Sequence, residues 1–401
     1  MTRLALFTSA LSGGGIQNSM SNLAIAWAAR GYQVDLVVCR GDPEIAERHR
    51  ASGVNVIVLR ASAPLIGRIL ALRADPKAWR RLGPTILWPI STWSKLRYLA
   101  ALRDYLLECR PAGLVSAMTQ CNLVAVWAYR LAGIDGRLLV SERNMLSHFA
   151  NPQAARLRWR HAPALVGTTY RHADAIVAVS SAVADDLACC TGLPRATITP
   201  IVNPVVDDRL YAAAARDSAH PWLDEAGPPV VLGVGRLVAQ KDPVTLMRAF
   251  ARVRRLRPVR LILIGDGPLQ PELHKLAEEL GVATDVDLPG WIDPPFAHMA
   301  KADVFVLPSR WEGLPGVLIQ ALACGCPVVA TDAPGGSAEI LEHGRLGQLV
   351  AVGDVAAMAE AITTTLDTPC DRAALRQRAQ TFSVDAAASG YLERLFGATS
   401  P

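Results

Sequence analysis

The chain has 401 residues, 51% of them hydrophobic, with 41 Lys+Arg against 36 Asp+Glu and a formal charge of +5. That length is too great for one ordinary core and suits two domains, and the composition excludes a disordered or fibrous chain. The charge is uneven: residues 1–210 carry 24 Lys+Arg and 14 Asp+Glu, net +10, leaving −5 for the rest, so the first half is expected to face something anionic.

In chain order, short Val/Ile/Leu-rich runs alternate with segments of helical period. Leu4–Thr8, Val34–Cys39, Val54–Leu59, Gly113–Met118, Arg137–Ser141 and Ala175–Val179 read as buried strands. Between the first two, Ile16, Met20, Leu23, Ala24, Trp27 and Ala28 recur at helical spacing, with Gly31 placed to end the helix. The rhythm breaks near Ile201–Pro204 and Arg216–Pro229, then resumes with Pro229–Val234, Val259–Ile264, Val286–Leu288, Val304–Leu307 and Val328–Thr331. Strands that alternate with helices predict parallel sheets with right-handed crossovers, hence two tandem doubly wound, Rossmann-like α/β domains. Their expected extents are 1–203, with a helix returning over 384–401, and 204–383. Residues 60–100 mix basic residues, prolines and tryptophans. They read either as an amphipathic surface element that touches lipid or as a loop-and-helix insert.

The eight cysteines, at 39, 109, 121, 189, 190, 324, 326 and 370, form no CxxC pair and lie mostly in apolar runs. They read as buried free thiols in a reducing, cytoplasmic compartment, and no metal site is expected. The N-terminus is too soon glycine-rich for a signal peptide, and no run of about eighteen apolar residues would span a bilayer. No basic run with interleaved aromatics marks a nucleic-acid track, so no nucleic-acid partner is expected.

In open parallel sheets, ligands bind beyond the carboxyl ends of the strands. After the first strand comes Ser12-Gly13-Gly14-Gly15, which suits close backbone approach to a ligand, with Gly14 and Gly15 as contacts. Asn18 stands where a dinucleotide fingerprint needs a third small residue, so the run argues weakly for NAD. In VLGVGRLVAQKD, Arg236 and Lys241 follow a strand end directly and are expected to make a diphosphate clamp, with Gly233 and Gly235 clearing space, the alternative being a solvated helix start. Asp266, in LIGDGPLQPEL, either caps the next helix or meets a ligand, with capping the favoured role. In DLPGWIDPPF, Trp291 and Ile292 are placed where a flat base would lie, the alternative for Trp291 being a packed core position.

SRWEGLPGVLIQALACG, residues 309–325, carries the sharpest puzzle, because Glu312 sits at the mouth of a helix whose start would attract anions. The amides of Gly316, Val317 and Leu318 are expected to take a phosphate, while Glu312 accepts from sugar hydroxyls and Gln320 reaches a second diol. A diphosphate flanked by two hydroxyl-bearing groups is a nucleotide-sugar.

Together the glycine-rich first loop, GRLxxxK, IGDGP, PGW, ADxFVxPS and EG…ACGxPVVA resemble the retaining glycosyltransferases of family four, of GT-B fold, over nearly the whole chain. The resemblance implies two domains with a cleft between them. Arg236 and Lys241 would hold the donor diphosphate, and the Gly316–Leu318 amides its distal phosphate. Glu312 would bind the transferred sugar and Gln320 the ribose, where the family pattern has a second glutamate. Ser141-Glu142-Arg143-Asn144 stands where family members often carry a histidine near the reacting sugar, and His148 is the nearest imidazole. Glu142 then faces the donor sugar or acceptor, and Arg143 an acceptor phosphate, the alternative being a structural ion pair.

The resemblance implies a hexosyltransferase that uses a nucleotide-sugar co-substrate, UDP favoured over GDP, with no cofactor or metal. Residues 68–110 hold nine Lys+Arg and three Asp+Glu, with Trp79, Trp88 and Trp93 among them. This suits a peripheral enzyme on an anionic membrane surface, at the inner face, acting on a polyprenyl-diphosphate-linked saccharide for a bacterial polysaccharide. The competing readings are transfer to a soluble acceptor, a nucleotide-sugar epimerase, a sugar phosphorylase and a non-catalytic nucleotide-sugar-binding module.

Overall fold

The computed structural model describes residues 1–11, 14–76, 93–150, 157–218 and 220–397. The chain divides into two compact units, Met1–Pro204 with Val384–Pro401, and Val205–Ser383.

The first unit is built on seven parallel strands: β1 (Arg3–Thr8), β2 (Gln33–Val38), β3 (Val54–Val58), β4 (Gly113–Ala117), β5 (Arg137–Glu142), β6 (Ala175–Ala178) and β7 (Ile198–Pro200). They lie in the order β3-β2-β1-β4-β5-β6-β7, with Leu4 opposite Val34 on one side and Gly113 on the other. Both faces of such a sheet are covered, which is why β1 reads LALF with no polar alternation. The helix Gly15–Ala29 lays Met20, Leu23, Ala24 and Trp27 on it at helical spacing. The helix Val384–Phe396 adds Ala388, Tyr391, Leu392 and Leu395 to the same core. The buried Trp27 Nε1 donates to Ala388 O at 3.1 Å, satisfying a group that would otherwise be costly to desolvate.

The second unit carries β8 (Val230–Val234), β9 (Arg260–Ile264), β10 (Val286–Gly290), β11 (Val304–Leu307), β12 (Val328–Thr331) and β13 (Gln348–Val350). Their order is β10-β9-β8-β11-β12-β13, and every pairing is parallel. In each sheet the winding reverses once, between β1 and β4 and between β8 and β11. At these switch points the outgoing loops part and leave a crevice at the carboxyl ends.

Two edge strands escape the sequence reading, β7 and β13. Each has three residues with a single buried position, Ile198 or Val350, too short to show a period. Two other expectations are corrected. Cys189 and Cys370 are exposed rather than buried. Trp93, expected at an interface, is buried with its ring 5.8 Å from Trp159, because it closes the start of the turn Ser94–Tyr98. Of the 60–100 stretch, residues 64–74 form a regular helix. Trp79 and Trp88 lie outside the described residues.

Candidate active site

At the switch point of the second unit, the loops after β8 and β9 run backbone against backbone. A Cβ on Gly265, whose φ is +138°, would stand 2.0 Å from Gly235 O, and one on Gly267 2.4 Å from Leu237 O. Only glycine fits either position. Leu237 N donates to Asp266 O at 2.7 Å, locking the two loops together. Above them opens a pocket lined among others by Gly235, Arg236, Lys241 and Pro308.

Lys241 Nζ lies 2.5 Å from Glu312 Oε1, and the two side chains are 19% and 8% exposed. Ser309 Oγ donates to the same oxygen at 2.6 Å. The loop bearing Glu312 is held on both sides: Gln240 Nε2 donates to Trp311 O at 3.0 Å, Arg310 N to Gln240 O at 2.8 Å, and Glu312 N to Pro334 O at 2.9 Å. Arg310 Nε meets Asp242 Oδ2 at 3.0 Å, and Asp242 caps the helix Pro243–Leu256. The helix-mouth puzzle thereby has a physical answer. Glu312 does not stand as a bare anion beside the helix start, because the charge-assisted contact with Lys241 neutralises it. Glu312 Oε2 makes no hydrogen bond to a described residue, and two Lys241 N–H groups stay available to an anion.

The helix opened by Gly316 runs to Ala323, with Pro315 as its N-cap. The expectation of three free amides is corrected: Leu318 N donates back to Pro315 O at 3.1 Å, closing the first turn. Among the described residues, no acceptor serves the amides of Gly316 and Val317. Gln320 is half-buried one turn further on, and Arg236 is exposed at the pocket rim. Asp266 does not cap its helix, which begins at Gln270 behind Leu269 with no side-chain cap. It is exposed instead. Trp291 is 55% exposed, so the packed-core alternative falls, and Ile292 is half-buried beside it.

In the first unit, Gly14, φ +135°, and Gly15 carry the chain from the β1 loop into the first helix. At the end of β5, Glu142 is buried and accepts from Thr119 Oγ1 at 3.0 Å, Tyr170 OH at 2.9 Å and Arg143 N at 3.3 Å. Burial pushes its carboxyl up to about 7, against the pull of these donors. Arg143 is buried too, with Nη1 2.6 Å from Asn203 Oδ1 and Nη2 3.1 Å from Tyr391 OH. Neither residue forms an ion pair among the described residues, which removes the structural ion-pair alternative for them. His148 is exposed on the short helix Leu146–Ala150. Thr119, Tyr170, Asn203 and Tyr391 were missed in the sequence because each comes from a separate element with no spacing that links it to β5.

A family model described as Glycosyltransferase Family 4 matches residues 13–209, and one described as Glycosyl transferases group 1 matches residues 228–368. The chain belongs to glycosyltransferase family four. Over 151 residues it is 36% identical to the N-acetylgalactosamine-N,N'-diacetylbacillosaminyl-diphospho-undecaprenol 4-alpha-N-acetylgalactosaminyltransferase of Campylobacter jejuni, covering 38% of this chain and 41% of that protein. Over 199 residues it is 34% identical to a GDP-mannose-dependent alpha-(1-6)-phosphatidylinositol monomannoside mannosyltransferase of Mycobacterium tuberculosis, covering 47% of this chain and 51% of that one. The chain thus spans about half the length, or less, of these curated relatives. Anabaena HepE, solved in complex with UDP, superposes with a TM-score of 0.74 at 22% identity, covering 98% of this chain and 99% of that one. The fold of this family-four glycosyltransferase is GT-B, two parallel-sheet Rossmann-like units of seven and six strands.

Proposed function

We propose that this chain transfers a hexosyl group, with retention, from a nucleotide-diphosphate sugar to a polyprenyl-diphosphate-linked saccharide in bacterial polysaccharide assembly, at the cytoplasmic face of the membrane. The observation that carries the reading is the Lys241–Glu312 pair at the β8/β11 switch point, beside the open amides of Gly316 and Val317. Arg236, Lys241 and the two amides take the donor diphosphate. Glu312 Oε2 accepts from hydroxyls of the transferred sugar, and Gln320 from the ribose. Gly14, Gly15, Gly235 and Asp266 border the donor, and the exposed Trp291 with Ile292 receives the base. UDP is favoured over GDP, supported by the UDP bound to the Anabaena neighbour. The diphospho-undecaprenol in the Campylobacter relative's name supports a lipid-linked acceptor, whose phosphate falls to Arg143 and whose saccharide falls to Glu142 and His148.

The acceptor oxygen attacks the anomeric carbon on the face from which the β-phosphate oxygen departs. The departing phosphate receives the acceptor proton, so no enzyme carboxylate forms a covalent intermediate. Glu312 suits hydroxyl binding better than nucleophilic attack, because one of its oxygens is engaged by both Lys241 and Ser309. Charge growing on the phosphate is neutralised by Arg236, Lys241 and the amides, without a metal ion taking part. A melting-temperature screen against UDP-, GDP- and ADP-sugars tests the donor site: UDP-sugars should give the largest rise. No rise with any of them overturns the reading.

A further inference from the structure

Four of the large hydrophobic side chains that the first unit leaves in solvent, Val58, Leu65, Ile66 and Ile69, fall within residues 58–69. The helix Pro64–Ala74 buries Gly67, Leu70, Ala71 and Ala74. Gly67 sets how closely it docks, since a Cβ there would stand 2.3 Å from Leu96 O. On the opposite face Leu65 is 63% exposed, Ile66 45% and Ile69 49%, and Val58, at the end of edge strand β3, is 51% exposed. Positions 65, 66, 69 and 73 follow one line along the helix, so the exposed Arg73 continues the apolar stripe. Arg60 and Arg97 are exposed nearby, and Arg97 Nε bonds Ser62 O at 3.1 Å, fixing the guanidinium to the chain segment that leads into the helix. No Asp or Glu occurs from residue 48 to residue 74. The next acid, Asp75, is buried and faces Arg130 at 3.9 Å.

An apolar stripe held rigidly outward by packing behind it needs an occupant. Its arginines, on a stretch of chain with no carboxylate from residue 48 to residue 74, select one that is apolar in depth and negative at its surface. A protein partner's groove would need acidic groups matched in position to Arg60, Arg73 and Arg97. A lipid surface supplies negative charge at any spacing. We propose that the helix Pro64–Ala74 lies in the headgroup region of an anionic lipid bilayer, with Leu65, Ile66 and Ile69 entering the acyl boundary and Arg60, Arg73 and Arg97 meeting lipid phosphates. The proposal rests on the reading of a lipid-linked acceptor, and it names the surface of the chain that would meet the membrane.

Flotation of the full chain with phosphatidylcholine vesicles, with and without phosphatidylglycerol, tests it. The chain should float with the anionic vesicles and do so less as salt rises. Leu65→Ser/Ile66→Ser/Ile69→Ser should lower partitioning by about 100-fold, and Arg60→Gln/Arg73→Gln by about 25-fold at low salt, from roughly fivefold per arginine. All substituted positions are exposed, and an unchanged melting temperature with an unchanged response to UDP-sugar shows that fold and donor site are intact. Equal binding to neutral vesicles, or a triple variant that floats as well as the parent, overturns the proposal. So does a triple variant whose only change is the loss of a dimer in sedimentation. Flotation and the UDP-sugar response are read separately, so failure of the transferase reading is distinguishable from failure of the lipid contact.

Discussion

The carboxyl ends of β11 and β5 each present a buried carboxylate near a cation, and the two units treat them in opposite ways. In the second unit, Glu312 and Lys241 meet at 2.5 Å. In the first, Glu142 and Arg143 are neighbours in sequence, yet their side chains point to different partners, the one to Thr119 and Tyr170, the other to Asn203 and Tyr391. Successive residues at a strand end face opposite sides, so adjacency in sequence keeps the two charges apart. A buried carboxylate with only neutral donors holds its proton more tightly. The second unit thus offers a fixed dipole of known sense to a phosphate. The first offers a carboxyl that changes charge near neutrality.

The largest expected effect comes from breaking the pair in the second unit. Lys241→Ala should lower turnover by about 10²–10³-fold, the size seen when a preorganised charge stabiliser is removed, or about 3–4 kcal/mol. It should also destabilise the fold, because Glu312 is left buried without its cation. Adding Glu312→Gln should recover melting temperature but not turnover. Near-normal kcat in the single variant would sink the assignment.

Next comes the carboxyl of the first unit. Glu142 has a folded pKa of about 7 against an ordinary 4.5, raised first by burial. The folded chain therefore binds the proton more tightly than the unfolded one between these values. The stability that protonation gives is fully present below about 4.5 and lost as pH rises through about 7, by up to about 3 kcal/mol. Urea midpoints across that window should fall with pH in the parent and fall less in Glu142→Gln. Parallel curves would show that folding does not raise the Glu142 carboxyl and that burial is offset by its hydrogen-bond donors.

The contrast also explains what was legible in the sequence. Lys241 and Glu312 lie on loops whose glycines and prolines mark strand ends, and the buried strands β8 and β11 are continuous apolar runs, so both the fold and the donor loops could be read. The fate of the Leu318 amide could not, because a proline N-cap that accepts in a tight turn leaves no mark distinct from an open helix start. Nor could the surroundings of Glu142 and Arg143, which are assembled from β5, two helix starts and the returning C-terminal helix. Spacing reports neighbours along a strand or helix face, and those contacts are long-range.

Trp291 tests whether the second unit's site extends past the diphosphate. With more than half its surface in solvent, Trp291→Ala should leave the melting temperature of the free chain within about 0.5 kcal/mol of the parent in stability. Donor affinity should fall by about tenfold, the scale of one lost base–aromatic stack. Equal loss across UDP- and GDP-sugars would be expected of stacking, whose π-face every base offers. Unchanged affinity for both would remove Trp291 from the site.

The smallest effect is expected at Gln320, where the family pattern has a second glutamate. Gln320 lies within the helix begun by Gly316, half-buried, a turn beyond the amides left open for phosphate. Gln320→Glu replaces an amide by a carboxylate, giving two acceptors for a ribose diol but placing a negative charge near the diphosphate. The first gain strengthens hydrogen bonds to hydroxyls by about 1 kcal/mol, and the second opposes it at short range, so donor affinity should rise by less than about tenfold. Turnover should stay the same, because the ribose is bound equally in the ground and transition states. Isothermal titration with a UDP-sugar, set beside kcat, separates the two. A large rise in kcat with unchanged affinity would mean that position 320 acts on the leaving phosphate rather than on the ribose, and the roles given to Lys241 and the helix amides would then have to be shared with it.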